Sequence, residues 1–307
     1  GERNRGNEKC PIAVLDCDLA ASVRTDEFAQ RNRGAFFEFG VQEHAAAVTA
    51  GALSIEGVLT IWADYGAFGL DEVYNQLRMN DLNRTQIKLV ATHLGLDVGQ
   101  DGRAQQCIDY LGLVSNLFGY RAVFPADANQ TDRAFRYVVA QPGNWVLGLG
   151  RSRVPVVTDL DGNPYFSGEY SFEYGKIDFL RPGEHGVIIT TGQMLSRAIE
   201  AWDALRAENL EPTVLHVSCP KNLQDSDDPV LLQGLRKGRV ITFEDHNVHT
   251  GLGSRIAQYI ARRGISCRLL TIGVERYGLS GEADDIYRIM GLTSEQLVEK
   301  ARRFLKR

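Results

Sequence analysis

Short apolar runs alternate with segments of helical periodicity along the first half of the chain. Such runs, bounded by polar or glycine-rich turns, are typical of buried strands, whereas apolar residues three and four positions apart are typical of helices. The alternation predicts a parallel sheet covered by helices on both faces. The predicted strands are residues 10–17, 36–39, 58–63, 87–92, 121–124 and 145–149. The predicted helices begin at Glu43 and at residues 70–80, 109–117 and 129–140.

This pattern breaks after residue 158, where turn-forming, aromatic and charged residues follow one another. A second alternating unit then begins, with predicted strands at 186–191, 212–217, 239–243 and 266–271 and a terminal helix at 294–304. The sequence therefore predicts an α/β protein of two doubly wound domains. We expect the first domain to cover residues 1–158, a linker 159–182, and the second domain 183–307.

Composition and charge exclude several classes of function. The net charge of −5, without a basic cluster, argues against nucleic acid as a partner. No apolar run is long enough to cross a membrane. The five cysteines are scattered and never spaced as a zinc pair. We therefore expect a cytoplasmic protein with reduced thiols, and no metal ligands in this chain.

The stretch 36–50 places a carboxylate, Glu43, where a glycine turn becomes a helix. Small residues follow it on one helix face, which suits close packing. An acidic residue in a first helical turn is often only a favourable partner of the helix dipole. The alternative is a catalytic acid whose pKa is set by its surroundings.

Several polar or aromatic residues follow predicted strands in the same way. Because the carboxyl ends of parallel strands meet at one edge of the sheet, and ligands bind at that edge, these residues could face one site. They are Glu43, Phe68, His93, Asp101 and Arg151.

Four ordered motifs resemble those of the transketolase family. Residues 40–44, Gly-Val-Gln-Glu-His, are similar to the family's Gly-Val-Arg-Glu-His motif. Residues 92–106 combine Thr-His with Gly-Gln-Asp-Gly-Arg-Ala-Gln-Gln, which resembles Thr-His-Asp-Ser followed by Gly-Glu-Asp-Gly-Pro-Thr-His-Gln. Residues 124–129 resemble the family's Pro-Ala-Asp-x-Asn segment, and 244–253 resemble the start of its C-terminal domain motif.

The resemblance covers the whole chain but only the C-terminal half of a full transketolase. It implies a pyrimidine-binding thiamine-diphosphate fold followed by the family's C-terminal domain. The Gly-Asp-Gly … Asn-Asn motif, through which the family holds Mg²⁺ and the diphosphate, has no counterpart here. The resemblance therefore implies a split transketolase, in which an N-terminal diphosphate-binding subunit holds most of the thiamine diphosphate and Mg²⁺ site. A heterotetramer with two copies of each subunit is expected.

The resemblance also implies roles in cofactor binding. Glu43 takes the position of the carboxylate that hydrogen-bonds N1′ of the aminopyrimidine and so promotes loss of the thiazolium C2 proton. Trp62, Tyr65 and Phe68 have the spacing of the aromatic residues that surround this ring, although a core aromatic cluster is the alternative. Asp18, in an Asp-Leu-x-x-Ser segment, is expected near the cofactor.

Further residues match positions that bind sugar in the family. His93 aligns with a histidine that contacts donor hydroxyls and acts in catalysis, and Asp101 with an aspartate that reads the C2 hydroxyl. Ser22 and Arg151 align with phosphate-binding positions, and a guanidinium suits phosphate geometry. Gln105 stands where the family has a histidine. This departure leaves room for an unphosphorylated or unusual sugar substrate.

Two alternatives to ketol transfer between a ketose and an aldose remain open. A beta subunit of a 2-oxo-acid dehydrogenase or a deoxyxylulose-phosphate-synthase-like enzyme has similar organisation, but the motifs around His93 favour sugars. A non-catalytic scaffold has no need of Glu43. The polar cluster Glu244, Asp245, His246 and His249 follows a strand in the second domain, where we expect a structural or interface role.

Overall fold

The computed structural model describes residues 11–306 and begins with a six-stranded sheet in which every neighbouring pair of strands is parallel. The strand order is β2-β1-β3-β4-β6-β5. The predicted strands of this domain are confirmed, with ends that differ by at most two residues; residue 10, predicted to open the first strand, lies outside the described residues. The strands are β1 (Ile12–Asp16), β2 (Phe36–Glu38), β3 (Leu59–Tyr65), β4 (Lys88–Thr92), β5 (Arg121–Val123) and β6 (Trp145–Gly148).

Helices connect these strands, and the helix that begins at Glu43 packs most closely on the sheet. Its small residues Ala46, Ala47 and Ala50 are fully buried against β1 and β3, so the backbone of the helix lies close to the strands. The helices of the first domain are α1 (Ala20–Val23), α2 (Asp26–Arg31), α3 (Glu43–Ile55), α4 (Tyr74–Leu82), α5 (Tyr110–Ser115) and α6 (Ala128–Ala140).

The predicted helix over 70–80 differs from the structure at its beginning. A π-helical turn, Ala67–Glu72, follows β3 directly, and α4 begins only at Tyr74. Such turns break the regular hydrogen-bond ladder and often occur at functional sites. Here the turn places Phe68 beside the end of β3.

The second sheet has five strands in the order β11-β10-β8-β9-β7, of which only β7 is antiparallel to its neighbour. The strand β7 lies inside the segment predicted as a linker, so the prediction of irregular structure as far as residue 182 was wrong for its last part. The strands are β7 (Ile177–Arg181), β8 (Val187–Thr190), β9 (Thr213–Val217), β10 (Arg239–Asn247) and β11 (Arg268–Val274).

Both faces of the second sheet are covered. Along β8, Ile188 packs into one hydrophobic core, whereas its neighbours Val187 and Ile189 pack into another. This alternation is the period of two expected for a strand between two helical layers. The helices are α7 (Met194–Arg206), α8 (Pro229–Leu235), α9 (Leu252–Arg263), α10 (Ala283–Met290) and α11 (Ser294–Leu305).

Of these helices, the sequence analysis did not predict α10, a short helix of eight residues. The α/β class and the two doubly wound domains are confirmed. Among the described residues, none of the helices combines the length and the apolar character needed to cross a lipid bilayer.

Candidate active site

The predicted site residues lie at the carboxyl edge of the first sheet. They follow five strands, β2, β1, β3, β4 and β6, which are neighbours in the sheet order. Because all five strands run in parallel, the turns that follow them meet at the same edge. Glu43 follows β2, Asp18 follows β1, Tyr65 ends β3, His93 follows β4 and Arg151 follows β6.

Glu43 is the first residue of α3, and only 6% of its surface is exposed. Its carboxylate belongs to a compact group with the thiol of Cys17 and the carboxyl of Asp64. One ligand atom from each side chain lies within 4.8 Å of the other two. A second carboxyl group therefore accompanies Glu43 inside the protein.

That second carboxyl, Asp64, lies on β3 and is fully buried. Its Oδ1 accepts a hydrogen bond from the backbone N–H of Tyr65 at 2.8 Å, whereas Oδ2 has no hydrogen-bond partner among the described residues. Burial raises the pKa of Asp64 to about 8, and the negative charge of Glu43 contributes to the same rise. Asp64 is therefore mostly protonated at neutral pH.

The sequence analysis did not single out Asp64. The available signal was its position: an aspartate one residue before the end of a strand, on the strand face opposite to Tyr65. What the sequence did not show was that this face also receives Glu43 and Cys17, which are 21 and 47 residues away along the chain. Their meeting depends on the order of the strands.

Aromatic rings form a wall beside these carboxyl groups. Tyr65 stacks on Phe68 with ring centroids 5.8 Å apart and planes inclined by 10°, and it stacks on His93 at 3.7 Å and 20°. Trp62 is not part of this wall. It is fully buried in the hydrophobic core on the other face of β3, as in the core alternative.

His93 follows β4 in a left-handed backbone conformation, with φ of +56°. A non-glycine residue in this region is strained and marks a position worth functional attention. Its Nδ1 lies 2.9 Å from the hydroxyl of Thr92, so Nε2 is the nitrogen left for a ligand. Burial, and then the positive charge of Arg151, lowers the pKa of His93 to about 4. The ring is neutral at pH 7.

We expect an NMR titration to give His93 an apparent pKa far below the ordinary value for histidine, 6.5. The unfolded chain binds this proton more readily than the folded chain between the two pKa values. The stability contributed by neutral His93 is therefore lost as the pH falls from about 6.5 towards 4. A His93→Gln variant should show a smaller loss of stability over this window. Titration of His93 near 6.5 would contradict the geometry described here.

The charged groups around His93 come from the loop after β4 and from the turn after β6. The carboxylates of Asp97 and Asp101 counteract the effect of Arg151 on the His93 ring, so all three charges lie near it. Asp97 is buried and accepts hydrogen bonds from the backbone N–H and the hydroxyl of Ser152, both at 2.5 Å. These bonds fix the turn that carries Arg151, while Arg151 and Asp101 remain exposed.

The remaining predicted residues lie further from these carboxyl groups or lack a partner. Asp18 is exposed in a left-handed conformation, and its N–H donates to Glu38 at 2.8 Å. Ser22 is exposed on α1. Gln105 is half-buried, and its Oε1 has no hydrogen-bond partner among the described residues. An orphaned acceptor of this kind suits a ligand that donates a hydrogen bond.

The second domain holds the loop that follows His93. The carboxylate of Asp245 packs directly against the Cα of Gly95, where a Cβ would collide with it. The same carboxylate accepts hydrogen bonds from Gln193 and Tyr287, each at 2.9 Å. Further along the loop, Gln106 donates to the carbonyl of Leu279 at 3.1 Å.

The other members of the predicted polar cluster also have structural or interface contacts. His246 accepts the N–H of Leu111, in the first domain, at 3.0 Å. Glu244 accepts the N–H of Gly253 at 2.7 Å, at the beginning of α9. His249 is exposed, and its N–H donates to the side chain of Asn247.

The edge of the sheet around Glu43 fits an aminopyrimidine ring but does not fit a diphosphate. A buried carboxyl beside flat aromatic side chains suits a ring with hydrogen-bonding nitrogens. The charges that act most strongly on Asp16, Cys17 and Asp64 are all negative, from the carboxylates of this edge. A diphosphate near these groups would be repelled unless cations from elsewhere accompanied it.

The fold and this edge define a two-domain protein whose first domain presents a buried carboxyl and an aromatic wall to a ring-shaped ligand. Comparison with known proteins then gives the family. The model of the transketolase pyrimidine binding domain matches residues 5–156, and that of the transketolase C-terminal domain matches 175–297. The chain belongs to the transketolase family and corresponds to the C-terminal half of a full transketolase. The family implies the use of thiamine diphosphate.

Relatives of similar length support this assignment. A putative transketolase C-terminal section of Methanocaldococcus jannaschii is 26% identical over 96% of this chain and 91% of its own length. One of the subunits of an apulose-4-phosphate transketolase of Phocaeicola vulgatus is 24% identical over 96% and 92%. Among solved structures, a split gene transketolase described as an inactive beta4 tetramer is 28% identical, with a TM-score of 0.84 over 99% of this chain and 95% of that one.

Proposed function

We propose that this chain is the C-terminal subunit of a two-component, thiamine-diphosphate-dependent transketolase that transfers a two-carbon ketol unit between a ketose and an aldose. The observation that carries the proposal is the position of Glu43. Its carboxylate is buried at the start of α3, at the sheet edge where Tyr65 and Phe68 stack on each other. The transketolase subunits among its relatives support ketol transfer over oxidative decarboxylation of a 2-oxo acid.

The proposed mechanism gives each side chain one task. The cofactor, when bound, supplies the carbon nucleophile that carries the two-carbon unit. Glu43 holds a proton on its carboxyl oxygen for the N1′ nitrogen of the aminopyrimidine, in a site from which water is excluded. Tyr65 and Phe68 pack against the ring and exclude water from it. Asp18 contributes to the cofactor side of the site.

Substrate recognition falls to the exposed end of the site. Neutral His93 has Nε2 free to hydrogen-bond a sugar hydroxyl, and Asp101 accepts a hydrogen bond from another hydroxyl. Gln105 offers its orphaned Oε1 to the donor sugar. Arg151 and Ser22 bind the anionic end of a phosphorylated sugar, and Arg151 can do so with two parallel hydrogen bonds.

A partner chain supplies what this chain lacks. The acidic surroundings of Glu43 oppose a diphosphate, so we assign Mg²⁺ and most of the diphosphate contacts to an N-terminal subunit. The similar protein described as an inactive beta4 tetramer supports the idea that such chains need a partner for activity. We propose a cytoplasmic heterotetramer with two copies of each subunit. The described cysteines are all unpaired, which supports a reducing compartment.

The outer face of α3 is the proposed contact surface for this assembly. Val48 and Ile55, seven residues apart and therefore on one side of the helix, are 59% and 58% exposed. Ala45 and Ala52 are exposed between them. Val41, just before the helix, is 71% exposed. An apolar stripe of this kind is typical of a surface that another chain covers.

Reconstitution tests the proposed function. The chain is mixed with its N-terminal partner, thiamine diphosphate and Mg²⁺, and transfer of the ketol unit from a ketose phosphate to an aldose is followed by product analysis. We expect transfer only in the complete mixture. Decarboxylation of a 2-oxo acid without ketol transfer would support the dehydrogenase-type alternative, and the absence of both activities would support the scaffold.

We expect Arg151→Gln to raise the KM of a phosphorylated donor by about 10-fold to 100-fold, because one charged hydrogen-bonding partner of the phosphate is lost. The kcat should change much less, since the guanidinium binds substrate and does not act on the reacting carbon. Steady-state kinetics with the phosphorylated and the unphosphorylated donor measure this difference. Arg262→Gln, an exposed arginine in the last turn of α9, is the control. Equal effects on both donors would contradict phosphate binding by Arg151.

A further inference from the structure

Two carboxyl groups share one buried space at the edge of the first sheet. Asp64 is fully buried and Glu43 is 6% exposed, and their nearest ligand atoms lie within 4.8 Å of each other and of the Cys17 thiol. The titratable groups that face Asp64 are Glu43 from α3 and Cys17 and Asp16 from β1. None of them is a cation. Two full negative charges in this space would repel each other in a medium of low polarity.

The free oxygen of Asp64 shows where a proton fits. Its Oδ2 is aimed into this group without a hydrogen-bond partner among residues 11–306, while Oδ1 is held by the N–H of Tyr65. The hydroxyl of Thr92, the nearest alternative donor, is directed to the backbone carbonyl of Asp64 at 3.3 Å. Asp16 is occupied elsewhere, since it accepts from the hydroxyl of Thr25 at 2.5 Å and from the N–H of Leu19 at 2.8 Å.

We propose that Asp64 and Glu43 share a single proton, so that the pair carries one negative charge at neutral pH and Asp64 acts as a positioning residue that supplies Glu43 with its proton. Two neighbouring carboxyl groups that cannot both ionise behave as one titrating unit. The step is a proton transfer between carboxyl oxygens and involves no other bond. Its meaning for catalysis rests on the proposed function, because only a protonated Glu43 can donate a hydrogen bond to a ring nitrogen.

The stability of the chain without cofactor tests the pair independently of any activity. The folded pKa of Asp64, about 8, exceeds its ordinary value of 3.8, so the folded chain binds a proton that the unfolded chain releases. The resulting stability is complete below pH 3.8 and is lost as the pH rises through about 8. Thermal unfolding between pH 5 and pH 9 measures this loss.

We expect Asp64→Asn to remove most of the loss and to raise the Tm at pH 8 by roughly 3–6 °C, because the neutral amide no longer ionises. Glu43→Gln should reduce the loss, and the double variant should match Asp64→Asn rather than add to it. Asp64→Ser is the second neutral variant should the asparagine disturb folding. Asp161→Asn, which removes an exposed loop carboxylate, is the control and should leave the pH dependence unchanged.

Two results would overturn the pair. One is the same pH dependence in Asp64→Asn and Asp64→Ser as in the parent protein. The other is stabilisation of the parent protein by Zn²⁺ alone that is absent from Asp64→Asn. That result would show that Cys17, Glu43 and Asp64 hold a metal rather than a proton.

Activity with the partner chain then separates the pair from the proposed function. Asp64→Asn should lower kcat at pH 7 by about 10-fold or more and move the pH optimum to lower values, where Glu43 obtains its proton from solvent. A merely structural role of Asp64 would lower kcat without moving the optimum, and that outcome would overturn the positioning role. If the parent mixture has no transketolase activity, the proposed function fails while the unfolding experiment still decides whether the proton is shared.

Discussion

Glu43→Gln should reduce ketol transfer by the reconstituted enzyme by about 10³-fold while leaving the fold intact. Glutamine keeps the shape of the side chain and can donate an N–H, but it cannot hold and release the proton that N1′ of the cofactor requires. Steady-state kinetics in the presence of the partner chain measure kcat, and circular dichroism and thermal unfolding verify the fold.

The matched control for this substitution is Glu56→Gln. Glu56 is exposed at the other end of α3, so its loss removes a carboxylate from the same helix without touching the site. We expect its kcat to equal that of the parent enzyme. Activity of Glu43→Gln within a few-fold of the parent would show that Glu43 is only a favourable partner of the helix dipole.

Gly95→Ala should cause the largest loss of stability, about 3 kcal/mol or more. Gly95 has φ of +73°, and an added Cβ would collide with the carboxylate of Asp245 in the second domain. Both the left-handed backbone and the missing space oppose a side chain here. The loop after His93 would have to move, so activity should fall as well.

A second glycine separates the two causes. Gly168 also has positive φ, +58°, but nothing lies within 4 Å of the position of its Cβ. Gly168→Ala should therefore cost only about 1 kcal/mol, from the backbone conformation alone. Urea unfolding followed by fluorescence gives both free energies. Equal losses for the two variants would mean that Asp245 does not support the loop.

This contact gives the second domain a physical role in the proposed enzyme. It contributes none of the predicted site residues, yet Asp245 and Leu279 hold the loop that carries Asp101 and Gln105. The strained backbone at His93, two residues before Gly95, begins the same loop. The second domain therefore acts on the substrate side of the site through the position of this loop.

The sequence predicted those parts of the fold that local patterns determine. The parallel strands were evident from apolar runs, and the turns that follow them placed Glu43, Tyr65 and His93 at one edge of the sheet. Motif resemblance gave these residues their expected roles. The order of the strands then brought the residues together, as the structure shows.

What the sequence did not show depends on long-range packing. The strand β7 joins the second sheet from a polar, aromatic segment, because its partner β9 lies more than thirty residues further along. Asp64 gains its significance only from burial beside Glu43 and Cys17. Trp62 has the spacing of an aromatic pocket, but strand alternation directs it into the core.

The central claim is that this chain holds half of a cofactor site, and calorimetric titration of thiamine diphosphate with Mg²⁺ tests it most directly. The titration is carried out with this chain alone, with the N-terminal partner alone and with the mixture. We expect binding to the mixture that is much tighter than to either chain by itself, because the aminopyrimidine side and the diphosphate side come from different subunits. Equally tight binding to this chain alone would contradict the claim and would require a diphosphate site within it.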